Sequence, residues 1–414
     1  MSPRNATTFM GEPLAITGLG AVTAAGAGVR AFRLAQRRRE SCLGPIARLE
    51  GSGLSMAVGG SVPEEALGHG PRSPGSSRIL ALSVLAVAEA LGDGGLAPGD
   101  RLKTGISLGT ALGAVEELEA LVRAQRSGGL TADEARARRR ALPLNDITER
   151  LAERFGLGGP RSTFSVTCTS GNCSLEQAAC DLRLGRADAV LVGGAETLGL
   201  FMQAGFCSMK ALSPSGHLKP FSPERDGIVL GEGAAFVLVE LLSAARRRGA
   251  RGRGILAGNR LKSDASHLTS CDESGAGMAS AISAALEEAR VEPADVGAVT
   301  VTAVGSPVYD RMQSRAIGRA FGAAAARVPV TTWETSVGHA LASTAILGLI
   351  HAAQTLEEGE VLPVRDGKGI DPACTLRYIL EGPLPLAGRA VLALTVGFGG
   401  QNGVSVVVAS GEAP

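Results

Sequence analysis

The sequence predicts an α/β protein built from two copies of one unit. Three observations predict it. Apolar, β-branched segments alternate with segments of helical periodicity along the chain. A strand, small-residue turn and apolar helix over residues 164–184 recur over residues 328–356. Each copy is then followed by a pair of strand-like runs. The chain has 414 residues, 45% of them hydrophobic and 20% charged, which is enough apolar material for a large core.

In chain order, residues 14–17 form a short apolar run that ends in the turn Gly18-Leu19-Gly20. Residues 78–91 have helical spacing and stop at Gly92. Residues 104–108 read as a buried strand, 146–155 as a helix, 163–167 as a strand and 174–184 as a helix. The first strand pair is 189–196 with 234–240; the second is 390–396 with 404–409. The two halves divide near residue 245, where residues 244–254 are rich in Arg and Gly, giving units 1–245 and 246–414. Residues 68–77 are a loop by composition.

Composition excludes several functions. The net charge of +1 gives no global pull toward nucleic acid or an anionic membrane. Two Tyr and one Trp are too few for a base-stacking platform. Residues 1–13 lack the apolar run of a signal peptide, and no run of 18 apolar residues occurs, so no membrane span is expected. Seven Cys match no zinc or disulfide spacing, which fits a cytoplasmic protein with reduced thiols. No phosphate loop, dinucleotide fingerprint or metal cluster is present, so no cofactor is expected. The groups Arg37-Arg38-Arg39, Arg138-Arg139-Arg140 and Arg246-Arg247-Arg248 read as solvated helix faces, with a docking surface for an acidic partner as the alternative.

One residue stands out chemically. Cys168 follows the β-branched run Val166-Thr167 and precedes Thr169-Ser170-Gly171 and a helix. A thiol at a helix N-terminus is favoured as thiolate, and the turn offers backbone N–H groups to an oxyanion. A Cys at the end of a buried strand is more often a small core residue, so spacing alone leaves both readings open. The repeat supplies a partner: His339 occupies the turn of the second copy, and a duplicated fold that joins equivalent turns would place it beside Cys168.

The chain also resembles the β-ketoacyl-acyl-carrier-protein synthases, the condensing enzymes of fatty-acid and type II polyketide synthesis. The resemblance runs through Ile16-Thr17-Gly18-Leu19-Gly20, Gly109-Thr110-Ala111-Leu112-Gly113 and Cys168-Thr169-Ser170-Gly171. It continues through Pro220-Phe221-Ser222-Pro223-Glu224-Arg225-Asp226-Gly227, Gly231-Glu232-Gly233-Ala234, Ser336-Val337-Gly338-His339 and Gly397-Phe398-Gly399-Gly400-Gln401-Asn402. It implies a thiolase-like fold, with duplicated halves layered α-β-α-β-α. It implies Cys168 as nucleophile, His339 as a catalytic imidazole and Phe398 as a gate, with Gly399 in the moving loop. Asp226 and Glu232 would be scaffold acids. His217 and His267 read as structural or surface residues, and His351, 12 residues after His339 on a continuing helix, makes no metal site with it. Implied partners are an acyl carrier protein or a coenzyme A thioester, and a second chain: a homodimer, or a heterodimer with a homologous ketosynthase.

Three departures bear on chemistry. The family's other imidazole belongs in an Ala-His-Gly-Thr segment, which here reads Ala303-Val304-Gly305-Ser306. None of the five His lies between residues 268 and 338. The family's Lys before the second His is Glu334, and its later Glu is Gly348. Val304 cannot donate to a developing oxyanion, and losing one such donor costs about 2.7–4 kcal/mol. Glu334 near Cys168 would disfavour thiolate; near His339 it would favour imidazolium. Acyl loading needs only Cys168, the helix N-terminus and an oxyanion pocket. The expectation is therefore an acyltransferase that loads Cys168 and passes the group on, with decarboxylation of malonyl units impaired. An ordinary condensing enzyme using His339 alone and a non-catalytic chain-length-factor-like partner are the alternatives.

Overall fold

The structure, a computed structural model, describes residues 11–68, 77–139, 142–364 and 369–411. Most of the loop read at 68–77, nearly all of the N-terminal stretch, His69 and Arg140 lie outside the described residues.

Ten principal strands carry the fold. The first half supplies β1 (Leu14–Thr23), β2 (Thr104–Gly109), β3 (Arg161–Phe164), β4 (Ala189–Glu196) and β5 (Gly233–Leu241). The second supplies β6 (Gly254–Ser263), β7 (Val296–Thr300), β8 (Pro329–Thr331), β9 (Ala390–Gly397) and β10 (Gln401–Val408). They form one continuous sheet in the order β3-β2-β4-β5-β1-β6-β10-β9-β7-β8, to which two short strands, Gly26–Ala27 and Arg377–Tyr378, add.

From the centre outward, each half runs first, fifth, fourth, second, third strand. The pairings also match in sense. β1–β5 and β5–β4 are antiparallel, β4–β2 and β2–β3 parallel. β6–β10 and β10–β9 are antiparallel, β9–β7 and β7–β8 parallel. The halves join where β1 meets β6 antiparallel, through Leu14↔Leu256, Ala15↔Ile255 and Ile16↔Gly254.

Helices layer on this sheet. α1 (Arg78–Gly94) covers β1 and β5 on one side, and α4 (Ala276–Ala289) covers β6 and β10 on the other. Between the halves lie α3 (Ser170–Arg183) and α6 (Thr344–Glu358), which touch strands of both. α2 (Asp146–Phe155) and α5 (Pro307–Phe321) complete the set. α6 is buried on every face from Thr344 to Thr355, as expected of an apolar helix at the centre of a layered protein. The strands flanking it are buried on both faces, hence their continuous apolar runs.

One expectation is corrected here. Gly18 and Gly20 do not turn the chain; β1 runs straight through them to Thr23. A Cβ at Gly18 would lie 2.2 Å from the Ala90 carbonyl oxygen, and one at Gly20 would lie 2.0 Å from that of Ala86. The glycines therefore let α1 lie directly on the strand. The arginine groups are also less free than a solvated face implies. Arg37 pairs with Glu358 and Glu360, Arg39 donates to the Leu380 and Glu381 carbonyls, and Arg248 pairs with Glu240.

Candidate active site

Cys168 and His339 occupy equivalent places. Each follows the third strand of its half and precedes a helix of the central layer. The Cys168 turn is held by local bonds: Ser170 Oγ donates to the Thr167 carbonyl at 2.6 Å and accepts from the Val166 N–H at 2.9 Å. Thr167 takes a left-handed φ of 51°, unusual for a β-branched residue. This bend delivers the thiol to the head of α3. The His339 turn is clamped to the first half: His339 N–H donates to the Val229 carbonyl, and Gly231 N–H to the His339 carbonyl, both at 2.8 Å. Gly338 makes that approach possible, because a Cβ there would sit 2.8 Å from the Leu230 carbonyl oxygen.

The two turns meet. His339 Nε2 lies 3.1 Å from Cys168 Sγ. On the other side of the ring, Nδ1 lies 2.7 Å from Glu334 Oε1, with Thr344 Oγ1 at 3.5 Å. Glu334 is wholly buried, on the short helix Glu334–Val337, and its Oε2 has no hydrogen-bond partner. Burial alone would push the His339 imidazole down, but Cys168 and Glu334 outweigh it and raise its pKa to about 10. Glu334 therefore acts on the imidazole, which settles the distance question its sign raised.

A small apolar cavity of about 30 Å³ opens on the pair, walled by Val304, Phe206, Ile228, Tyr309, Val396 and the Gly397-Phe398 turn. Val304 is buried in this wall. Phe398 stacks on Phe206 at 5.3 Å between ring centres, with Tyr309 at 6.2 Å. Gly397 lies close against the elbow: a Cβ there would be 2.4 Å from Thr167 Oγ1. Gly399 is not in the wall; it takes φ 79° against the carbonyl of Leu268, whose side chain is exposed. The site thus gathers Cys168, His339, Val304 and Phe398, with Glu334 behind the imidazole and Gly399 one step outside.

Tyr309 and Phe206 escaped sequence reasoning. Tyr309 is one of only two tyrosines, at the start of α5, and donates its hydroxyl to the Thr269 carbonyl at 3.2 Å. Phe206 carries no motif signal at all. Four of the other acids and imidazoles make bonds elsewhere in the fold. Glu232 binds Arg48 and Arg78; Asp226 binds Ser213 and Lys219. His351 is buried against Gln36 and Arg33, and His267 accepts backbone N–H bonds in its own loop. Among the described residues no group of His, Cys, Asp and Glu is placed to hold a metal, and no helix is long and apolar enough to cross a membrane.

Two family models match the chain: the N-terminal domain of β-ketoacyl synthases over residues 11–245 and the C-terminal domain over residues 253–368. The chain belongs to the β-ketoacyl synthase family. These are the condensing transferases of polyketide and fatty-acid biosynthesis. A putative polyketide β-ketoacyl synthase 1 of Streptomyces cyaneus is 31% identical over 98% of this chain and 99% of its own. A 3-oxoacyl-[acyl-carrier-protein] synthase 2 of Staphylococcus aureus is 32% identical over 61% of this chain and 62% of its own. Among solved ketosynthases, a type II PKS acyl-carrier protein in complex with its ketosynthase bound to the hexaketide matches with a TM-score of 0.87. That match has 26% identity and covers 96% of this chain and 99% of that one. The ishigamide ketosynthase/chain length factor matches with a TM-score of 0.88 and 25% identity over the same shares. The fold is the thiolase-like one of these ketosynthases.

Proposed function

We propose that this β-ketoacyl synthase relative is a Cys168-dependent acyl-transferring enzyme that takes an acyl group from a carrier thioester. The 3.1 Å contact between Cys168 Sγ and His339 Nε2 at the head of α3 carries the reading. Proton transfer to Nε2 leaves a thiolate in the field of the helix N-terminus, ready to attack a thioester carbonyl. His339 then protonates the departing thiol. The work divides between the halves: residues 1–245 present the nucleophile, residues 246–414 the imidazole and the Phe398 loop. The 30 Å³ cavity is too small for an acyl chain, so Phe398 must swing off Phe206 for loading.

Val304 shapes the second step. Its apolar side chain lines the cavity where a second donor would stabilise a malonyl enolate, so decarboxylation is impaired. The donor is an acyl carrier protein thioester or its coenzyme A counterpart, in polyketide or fatty-acid-like biosynthesis. The acting form is a homodimer or a heterodimer with a homologous ketosynthase, in a reducing cytoplasm where the seven cysteines stay free. Intact-mass spectrometry after rapid acid quench tests the reading with a short acyl thioester. The expected outcome is one acyl adduct, or Cys168-dependent thioester consumption, in wild type and neither in Cys168→Ala. Identical behaviour of the two proteins contradicts it.

The closed cavity and Val304 also favour a second reading, a non-catalytic chain-length-factor-like partner shaping the pocket of a homologue. It predicts no adduct under any condition.

A further inference from the structure

Three features of the site bear on the step after acyl loading. Glu334 lies 2.7 Å from His339 Nδ1, on the far side of the ring from Cys168. The cavity that His339 lines is also lined by a valine, Val304. The space beside Sγ is about 30 Å³, room for a water molecule, which needs about 10–15 Å³.

Together they resemble the arrangement in which an acid holds an imidazole that serves a nucleophile. Glu334 accepts the Nδ1 proton, which leaves Nε2 as the nitrogen that exchanges protons at the cavity. In the free enzyme Cys168 and Glu334 both raise the His339 pKa against its burial. Acylation takes the Cys168 contribution away, so the imidazole is more readily a base once the acyl-enzyme forms. With Val304 in the wall, no second donor helps generate a carbon nucleophile. A nucleophile that brings its own proton has what it needs in His339 alone.

We propose that Cys168, His339 and Glu334 form a hydrolytic triad that releases the acyl group of acyl-Cys168 to water, making the chain a thioester hydrolase. The inference rests on the acyl-loading reading above and adds its acceptor. In the second step His339 Nε2 takes a proton from water, and the water oxygen bonds to the acyl carbon. The bond from that carbon to Sγ then breaks, and the proton on Nε2 passes to the sulfur. The sum is thioester plus water giving carboxylic acid plus the carrier thiol. Glu334 touches no reacting atom; it is a positioning residue.

The groups that face His339 are Cys168 on one side and Glu334 on the other. Tyr309 lies near the thiol, and Asp310, itself pushed up to about 7 chiefly by burial, lies near Glu334. Removing the Glu334 charge lowers the imidazole pKa, so the pH limb of deacylation moves to lower pH. A residue with a merely structural role leaves that limb in place.

The test uses the acetyl and hexanoyl thioesters of N-acetylcysteamine with the full chain in ¹⁸O-labelled water, following adduct and free acid by mass. Wild type is expected to turn over, releasing acid that carries one ¹⁸O, and Cys168→Ala is expected to release none. Glu334→Gln is expected to load Cys168 yet deacylate at least about 100-fold more slowly, with the pH limb shifted down. Glu334→Asp, which keeps the charge, is expected to recover part of the rate. A wild-type adduct that outlasts the assay without acid release overturns the proposal and leaves acyl loading standing. So does Glu334→Gln that deacylates at the wild-type rate with an unmoved limb. No adduct and no Cys168-dependent acid release overturns both.

Discussion

A thiol and an imidazole 3.1 Å apart share one proton, and the groups around them decide where it rests. At the residue scale, Cys168 and Glu334 raise the His339 pKa against its own burial. Cys168 contributes to that shift, so Cys168→Ala is expected to lower the His339 pKa from about 10. Titration of ¹⁵N-labelled histidine by NMR reads this directly, with His339→Gln assigning the signal. An unchanged midpoint would mean that Cys168 carries no charge beside the ring. That Cys168 and His339 meet is what the repeat implies, because each sits in its turn with small residues about it; their roles as nucleophile and imidazole come from the resemblance, since spacing alone leaves Cys168 equally a core residue. The sign of Glu334 was legible too, as an acid where the resemblance implies a base. Its target was not, because that depended on whether the carboxylate reaches sulfur or nitrogen, a matter of a few ångströms set by the short helix Glu334–Val337 and the Gly338 turn. Tyr309 was invisible for a different reason: only the packing of α5 against the loop holding Thr269 brings it to the cavity wall.

At the scale of elements, glycine was the residue most easily misread. In sequence a Gly within an apolar run, such as Gly18 or Gly20, suggests a turn; in the structure they are where a helix backbone touches a strand. Gly194 in β4 is a similar case at the site itself. A Cβ there would lie 2.3 Å from the Ala342 carbonyl oxygen and 2.6 Å from Ser343 Cα, just after the His339 turn. Backbone cannot rotate aside as a side chain can. Gly194→Ala is therefore expected to destabilise by about 1–3 kcal/mol and lower Tm by about 1–3 °C. Gly92, inside α1, is exposed with nothing within 4 Å of an added Cβ, and Gly92→Ala is expected to hold or raise Tm. Scanning calorimetry on both variants checks the contrast; equal effects would mean that β4 and the His339 segment are not packed this closely.

At the scale of the molecule, the duplication explains the site. Two halves with one strand order meet along β1 and β6, and their third-strand turns converge. The repeat, and hence the meeting of Cys168 with His339, was readable from spacing. The joining of ten strands into one sheet was not, because register between halves depends on three residue pairs far apart in sequence. The same symmetry gives the substitution at Val304 its force: the cavity is lined by one imidazole, from the second half, and otherwise by apolar side chains, Cys168 and Tyr309. The most direct measurement is the release of labelled carbon dioxide from a malonyl-carrier thioester, compared between wild type, Val304→His and Cys168→Ala. The expected result is release by wild type no faster than by Cys168→Ala, and faster release by Val304→His. Equal, rapid release by wild type and Val304→His would contradict the claim that this chain loads acyl groups without running the decarboxylative step.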